Sequence, residues 1–256
     1  LSAEFGPWLR CFTPRPRARL RLVCLPHGGG GAAAYAGWGD LAPDVEVLAV
    51  CYPGREDRLG EPFPADLHTL VAELADALKP LADRPYALFG HSMGATIAYE
   101  LARVLPRPEH LVASGREAPQ DERGGTVHLR DEAGLLEEVS RLGGTASEVL
   151  ADPALRTMIL RCLREDYRLI ETYRPRQAPP LDCPVSVFVG DADPDLTAAQ
   201  AARWRRVTSG RTRLRVFPGD HFYLVPQRRA VLAALREALA RPQDRRQAWT
   251  PSAGSS

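Results

Sequence analysis

The chain has 256 residues, 45% of them apolar and 25% charged, with 33 basic against 32 acidic side chains and a formal net charge of +1. That length supplies a sizeable core for one large α/β unit or two small ones, while near-neutrality excludes a protein that binds nucleic acid through a whole-surface basic excess. No run of about 18 apolar residues occurs, so no helical membrane span is expected.

Short apolar runs alternate with helical patterns along the chain. The runs are Leu20–Leu25, Val45–Tyr52, Tyr86–Phe89, His110–Ala113, Val185–Val189 and Leu214–Phe217. Between them the periodicity predicts helices over Asp66–Leu81, Ser92–Leu105, Thr197–Val207 and Gln227–Leu239. In the last, Val231, Leu232, Leu235 and Leu239 share one face. This alternation predicts an α/β fold with a mainly parallel sheet and crossover helices. Residues 116–182 break it: no strand pattern occurs there, but Asp131–Leu142 and Pro153–Tyr173 read as helices separated by Gly- and Pro-rich loops. A helical insertion of this kind at the carboxyl edge of a sheet is expected to form a lid. Residues 8–240 are therefore expected to form a single domain, and the polar stretch 241–256 a disordered tail.

Five cysteines (Cys11, Cys24, Cys51, Cys162 and Cys183) are an odd number without a CxxC pair. Neither a disulfide framework nor a zinc site is expected. The amino-terminal stretch lacks the pattern of a secretory signal, and a cytoplasmic protein is expected. Lys79 is the only lysine beside 32 arginines, a skew that fits a GC-rich genome and carries no chemistry.

Gly90-His91-Ser92-Met93-Gly94 matches G-x-S-x-G, directly after one predicted strand and directly before a predicted helix. Strand, tight turn and helix expose a serine on a strained elbow, as in the α/β-hydrolases. A hydroxyl is a weak nucleophile and needs a base within hydrogen-bond reach. Of six histidines, His221 lies in the loop after the last strand, where the order Ser…Asp…His puts the base. His27, His68 and His110 read as structural, His91 is expected to project away from Ser92 on the turn, and His128 falls in the insertion. The acid is expected to be Asp193, which follows the strand at Val185–Val189 and precedes His221 by 28 residues. Asp191, Asp195 and, on the preceding strand, Glu117 are its competitors. The Asp191, Asp193, Asp195 spacing does not continue as a calcium loop, because Leu196 and Ala202 stand where glycine and glutamate are needed.

After the first strand comes His27-Gly28-Gly29-Gly30-Gly31, an HGGG-type loop whose backbone N–H groups can approach an oxyanion. Gly28 and Met93 are the expected oxyanion donors. The P-loop pattern that would make this a phosphate cradle is absent.

These segments resemble the type II thioesterases, stand-alone α/β-hydrolases that accompany modular polyketide and nonribosomal peptide synthases. The resemblance runs from Trp8 to Leu239 through LVCLPHGGG, YPGREDR, GHSMGATIAYELA, LVASGREAP, LGGTASEVL, LREDYRLIETY, CPVSVFVGDADP and PGDHFYL. YPGREDR and LGGTASEVL are the most telling, since a generic esterase has no reason to share them. Gly28 departs from the many relatives with alanine there, which a backbone donor tolerates. The resemblance implies hydrolysis of acyl thioesters from the phosphopantetheine arm of acyl or peptidyl carrier proteins, editing stalled or misprimed synthases. It implies Ser92, Asp193 and His221 as the triad, Gly28 and Met93 as oxyanion donors, a mobile lid over 116–182, and no cofactor or metal.

A carboxylesterase, a lipase or an acyl-CoA thioesterase could use the same triad, and a non-catalytic binding protein on a hydrolase fold is a reading of another class. The expected partner is an acidic carrier protein rather than nucleic acid or membrane, and the chain is expected to be a monomer. Docking by charge requires a basic rim, for which Arg55, Arg58, Arg116 and Arg123 are the candidates.

Overall fold

The computed structural model describes residues 5–121, 124–143 and 152–240. Arg123, the tail at 241–256 and most of the LGGTASEVL segment therefore lie outside the described residues.

Seven strands form one sheet: β1 (Leu9–Arg10), β2 (Leu20–Leu25), β3 (Val45–Val50), β4 (Tyr86–His91), β5 (His110–Ser114), β6 (Val185–Gly190) and β7 (Thr212–Phe217). Their spatial order is β1-β3-β2-β4-β5-β6-β7. Strands β2 to β7 run parallel, and β1 alone is antiparallel, pairing Leu9 and Arg10 with Val50 and Ala49. The six expected strands are all present, with ends shifted by two residues or fewer. At two residues, β1 is too short to produce a periodicity.

Strands β2 to β6 are buried along their whole length, as expected of a parallel sheet covered on both faces. Because successive side chains alternate, Val23 and Leu25 join one core cluster while Leu22 and Cys24 join the other. The first cluster packs under α1 (Leu67–Leu78) and α2 (Met93–Val104). The second is filled by Tyr35 and Trp38 from a 3-10 helix at Ala32–Trp38, and by Val231 and Leu235 from the carboxyl-terminal helix. Each such leucine or valine contributes on the order of 1.5–3 kcal/mol by leaving water.

Between β5 and β6 lie α3 (Glu132–Arg141) and α4 (Pro153–Thr172), where the sequence predicted helices. Asp131 caps α3 by accepting the Gly134 N–H, and Asp152 caps α4 by accepting those of Ala154 and Leu155. Pro153 occupies the first turn of α4, where its missing donor costs nothing. The two helices carry a small core of their own, made of Val127, Leu135, Val139, Leu160 and Leu163. After β6, the helix predicted over Thr197–Val207 divides into α5 (Ala198–Ala201) and a 3-10 stretch at Ala202–Arg206. The capping box of Thr197 and Gln200 supports only the first turn. Helix α6 (Arg228–Leu239) closes the fold with the expected apolar face buried.

Candidate functional site

Strand β4 ends at His91, and the chain turns at Ser92 with φ 53° and ψ −121° before entering α2. A non-glycine residue in this region carries strain of about 1–3 kcal/mol. The turn holds because its surroundings over-determine it. The Ser92 N–H donates to the Ser114 carbonyl at 2.8 Å, extending the β4–β5 ladder past the strand end. A Cβ at Gly90 would lie 2.0 Å from the Gly94 oxygen, and one at Gly94 would lie 2.1 Å from the Leu25 oxygen. Both glycines of the motif are therefore required by close backbone approach, and Ser92 is left facing a cavity of about 790 Å³.

Asp193 and His221 come from the loops after β6 and β7, the two strands at one edge of the sheet. His221 Nδ1 lies 2.8 Å from Asp193 Oδ2, and both side chains are nearly inaccessible to water. The remaining Asp193 oxygen accepts the Asp195 N–H at 3.0 Å. The loops are laced to each other: the Asp191 carboxylate accepts the Gly219 N–H, and the Ala192 N–H donates to the Gly219 carbonyl. The competition among three neighbouring aspartates is thus resolved by direction. Asp191 braces the histidine loop, Asp193 meets the imidazole, and Asp195 turns outward to Arg141. Glu117 lines the cavity but is not the carboxylate bonded to His221. Ser92, Met93, Gly28 and His221 all line the same cavity, so the structure brings together the five residues expected from the sequence.

Two further imidazoles pack beside His221 and stay neutral. His91 is fully buried, and burial followed by the nearby His221 and His27 rings holds its pKa well below the ordinary value of 6.5. Its Nδ1 meets the Ser114 hydroxyl, which in turn bonds the Tyr223 hydroxyl. Burial, His221 and Arg55 lower His27 to about 4. His27 sits edge-on to Phe222 and against Gly30, where a Cβ would fall 2.7 Å from its ring. Outside this cluster, His68 bonds the Arg174 carbonyl, His110 the Ser186 hydroxyl, and His128 the Glu171 carboxylate.

The glycine loop is held from two sides. Its His27 carbonyl accepts the Gly30 N–H at 3.0 Å, and Gly29 takes φ +76°. The Glu56 carboxylate accepts the N–H groups of Ala32 and Ala33, capping the 3-10 helix that follows. A Cβ built at Gly28 meets only Asp166 Cβ, at an ordinary 3.5 Å, so alanine at this position fits.

The expected basic rim needs correction. Arg55 and Arg58 are both buried. Arg55 makes a bidentate pair with Asp166, at 2.6 and 2.7 Å. Arg58 donates to Glu61 and the Cys51 carbonyl, and lies 3.7 Å over the Trp8 ring. An isolated guanidinium would not stay inside the protein, so these two arginines are there because carboxylates and carbonyls receive them. Arg116 lines the cavity.

Asp166 was not anticipated. The available signal was its position on α4, three residues after Leu163 and three before Leu169 on the buried face. An acidic residue on an apolar stripe requires a partner.

A mainly parallel sheet flanked by helices, with a serine elbow after its central strand β4, defines the α/β-hydrolase class. A thioesterase domain model matches residues 20–239. The chain is 44% identical over 237 residues to the probable cadicidin biosynthesis thioesterase of Streptomyces griseus, covering 91% of this chain and 66% of that protein, slightly under two thirds of its length. It is 42% identical to thioesterase PikA5 of Streptomyces venezuelae, covering 89% of this chain and 83% of that one. Among solved structures it resembles the type II thioesterase BorB of the borrelidin biosynthetic cluster, with 44% identity, a TM-score of 0.80, and coverage of 91% and 98%. The chain belongs to the thioesterase domain family.

Proposed function

We propose that this protein hydrolyses acyl thioesters carried on the phosphopantetheine arm of acyl or peptidyl carrier proteins, clearing blocked polyketide or nonribosomal peptide synthases. One observation carries the reading: a strained Ser92 opens on a cavity that is also lined by His221, whose Nδ1 is held by Asp193 at 2.8 Å. The related proteins named above are thioesterases, one of cadicidin biosynthesis and one of the borrelidin biosynthetic cluster, which supports the substrate class.

In this reading Asp193 fixes the imidazole with Nδ1–H toward the carboxylate, leaving Nε2 as the base. Nε2 takes the Ser92 proton as the hydroxyl attacks the thioester carbonyl. The N–H groups of Gly28 and Met93 stabilise the developing oxyanion, and the pantetheine thiolate leaves with the proton returned by His221. Water, deprotonated by the same nitrogen, then releases the acyl group from Ser92. Helices α3 and α4 serve as the lid, and Val139, Ile159, Leu163 and Ile170 give the acyl chain an apolar lining. The low pKa values of His27 and His91 keep uncompensated positive charge away from His221, which must itself become an imidazolium.

The test compares one acyl group presented on a carrier protein, on coenzyme A and as an oxygen ester. The carrier substrate is expected to give the highest kcat/KM. Ser92→Ala is expected to lower kcat by about 10³-fold or more while the protein stays folded. Retained turnover in that variant removes Ser92 from the reaction, and preference for the oxygen ester makes the protein an esterase.

A further inference from the structure

Helix α4 meets the glycine loop with Leu163, packed against Gly29, and with Asp166, whose side chain is only 1% exposed. Its Oδ2 accepts the Gly29 N–H at 2.7 Å and Arg55 Nη1 at 2.6 Å, and its Oδ1 accepts Arg55 Nη2 at 2.7 Å. Arg55 Nη1 also donates to the Gly30 carbonyl at 2.8 Å. One buried ion pair thus grips the loop by an N–H and by a C=O on adjacent residues. Tyr52, under the Arg55 guanidinium, donates its hydroxyl to the Pro26 carbonyl, holding the loop at its other end.

This grip has a geometric consequence one peptide away. The Gly30 N–H donates to the His27 carbonyl, so gripping residues 29 and 30 fixes the direction of that carbonyl. A trans peptide is planar, with its C=O and N–H opposed, so the same constraint aims the Gly28 N–H. We propose that Arg55 and Asp166 are positioning residues that aim the Gly28 N–H at the oxyanion, and so tie lid helix α4 to the catalytic loop. The proposal rests on the hydrolase reading above and adds to it a role for two residues that act through the glycine loop.

The experiment measures three quantities in Asp166→Asn, Arg55→Lys and the apolar double variant Arg55→Met with Asp166→Leu. They are kcat and KM for an acyl thioester, affinity for octylboronic acid, and affinity for octanoate. The boronic acid forms a tetrahedral adduct on the serine and requires the oxyanion donors; octanoate requires only the apolar cavity. Losing an oxyanion donor outright costs about 10²–10³-fold, so misaiming one is expected to lower kcat by about 10- to 100-fold. Boronate affinity is expected to fall in step, with KM and octanoate affinity within about threefold of the parent. The double variant serves because well-packed apolar replacements of a buried pair commonly fold. It is expected to keep its thermal midpoint and still lose boronate affinity.

Folded variants with parental kcat, or parallel losses of boronate and octanoate affinity, overturn the proposal. Failure of all three variants to fold assigns the pair to folding alone and overturns it too. A parent protein without thioesterase turnover removes the hydrolase reading itself, a different outcome from variants that match an active parent.

Discussion

The two walls of the cavity are fastened to the helical insertion by the same chemical device in opposite settings. On the glycine-loop side, Arg55 and Asp166 form a bidentate pair with side chains 7% and 1% exposed. On the acid-loop side, Arg141 of α3 forms a bidentate pair with Asp195, at 2.7 and 2.9 Å, with side chains 40% and 48% exposed. Breaking a buried pair strands a charge and costs about 3–5 kcal/mol, whereas an exposed pair is worth about 1 kcal/mol or less. Helix α4 is tied to the glycine loop by a buried pair, whereas α3, which shares a small apolar core with α4, meets the acid loop through a pair that water and salt can replace.

The sharpest way to break this comparison lies on the acid loop itself. Asp193→Asn is expected to lower kcat by about 10³–10⁴-fold, because the amide favours the wrong imidazole tautomer. Asp191→Asn, which loosens only the contact to Gly219, is expected to cost less than about tenfold. Steady-state kinetics of the two variants decide; the reverse ranking would move the acid to Asp191.

Weaker effects are expected at the exposed pair. Arg141→Ala should change stability by about 1 kcal/mol or less, and raising salt in the parent should mimic it. Burial raises the Asp195 pKa, but the hydrogen bonds and charge of Arg141 outweigh this and the net shift is downward, so the pair stays intact at neutral pH. Hydrogen exchange in Arg141→Ala should quicken along α3 and stay unchanged along α4. Equal acceleration of both helices would show that the insertion moves as one piece.

The smallest effect at neutral pH comes from the floor between the walls. Buried His91 has a folded pKa below its unfolded value of 6.5. Its contribution to stability is therefore complete above about pH 6.5 and is lost as the pH falls, since the unfolded chain takes up a proton that the folded one resists. Thermal midpoints of the parent should drop through that acidic range, and His91→Asn should flatten the slope.

Much of this architecture was legible in the sequence because its signals are local. The apolar runs mark the fully buried strands, and the elbow is written in five consecutive residues whose glycines are fixed by backbone contact. Asp193 and His221 follow from chain order, since each strand delivers its loop to the same end of a parallel sheet. The Arg55–Asp166 pair was not legible for the opposite reason. Arg55 and Asp166 are 111 residues apart, and an arginine in a polar stretch looks the same whether it faces solvent or a buried carboxylate. Charge alone therefore made Arg55 and Arg58 look like a docking surface, when each is consumed inside the protein.

The positive φ at Ser92 has a consequence for how this protein ages as a sequence. Its dihedral pair is one that glycine adopts freely and serine only under constraint. Mutation toward a better-folding chain would favour loss of the hydroxyl, since backbone comfort and the proposed chemistry ask for different residues at that turn. The elbow is thus a place where drift toward stability ends in silence, and where a working gene must be continually kept from its most restful form.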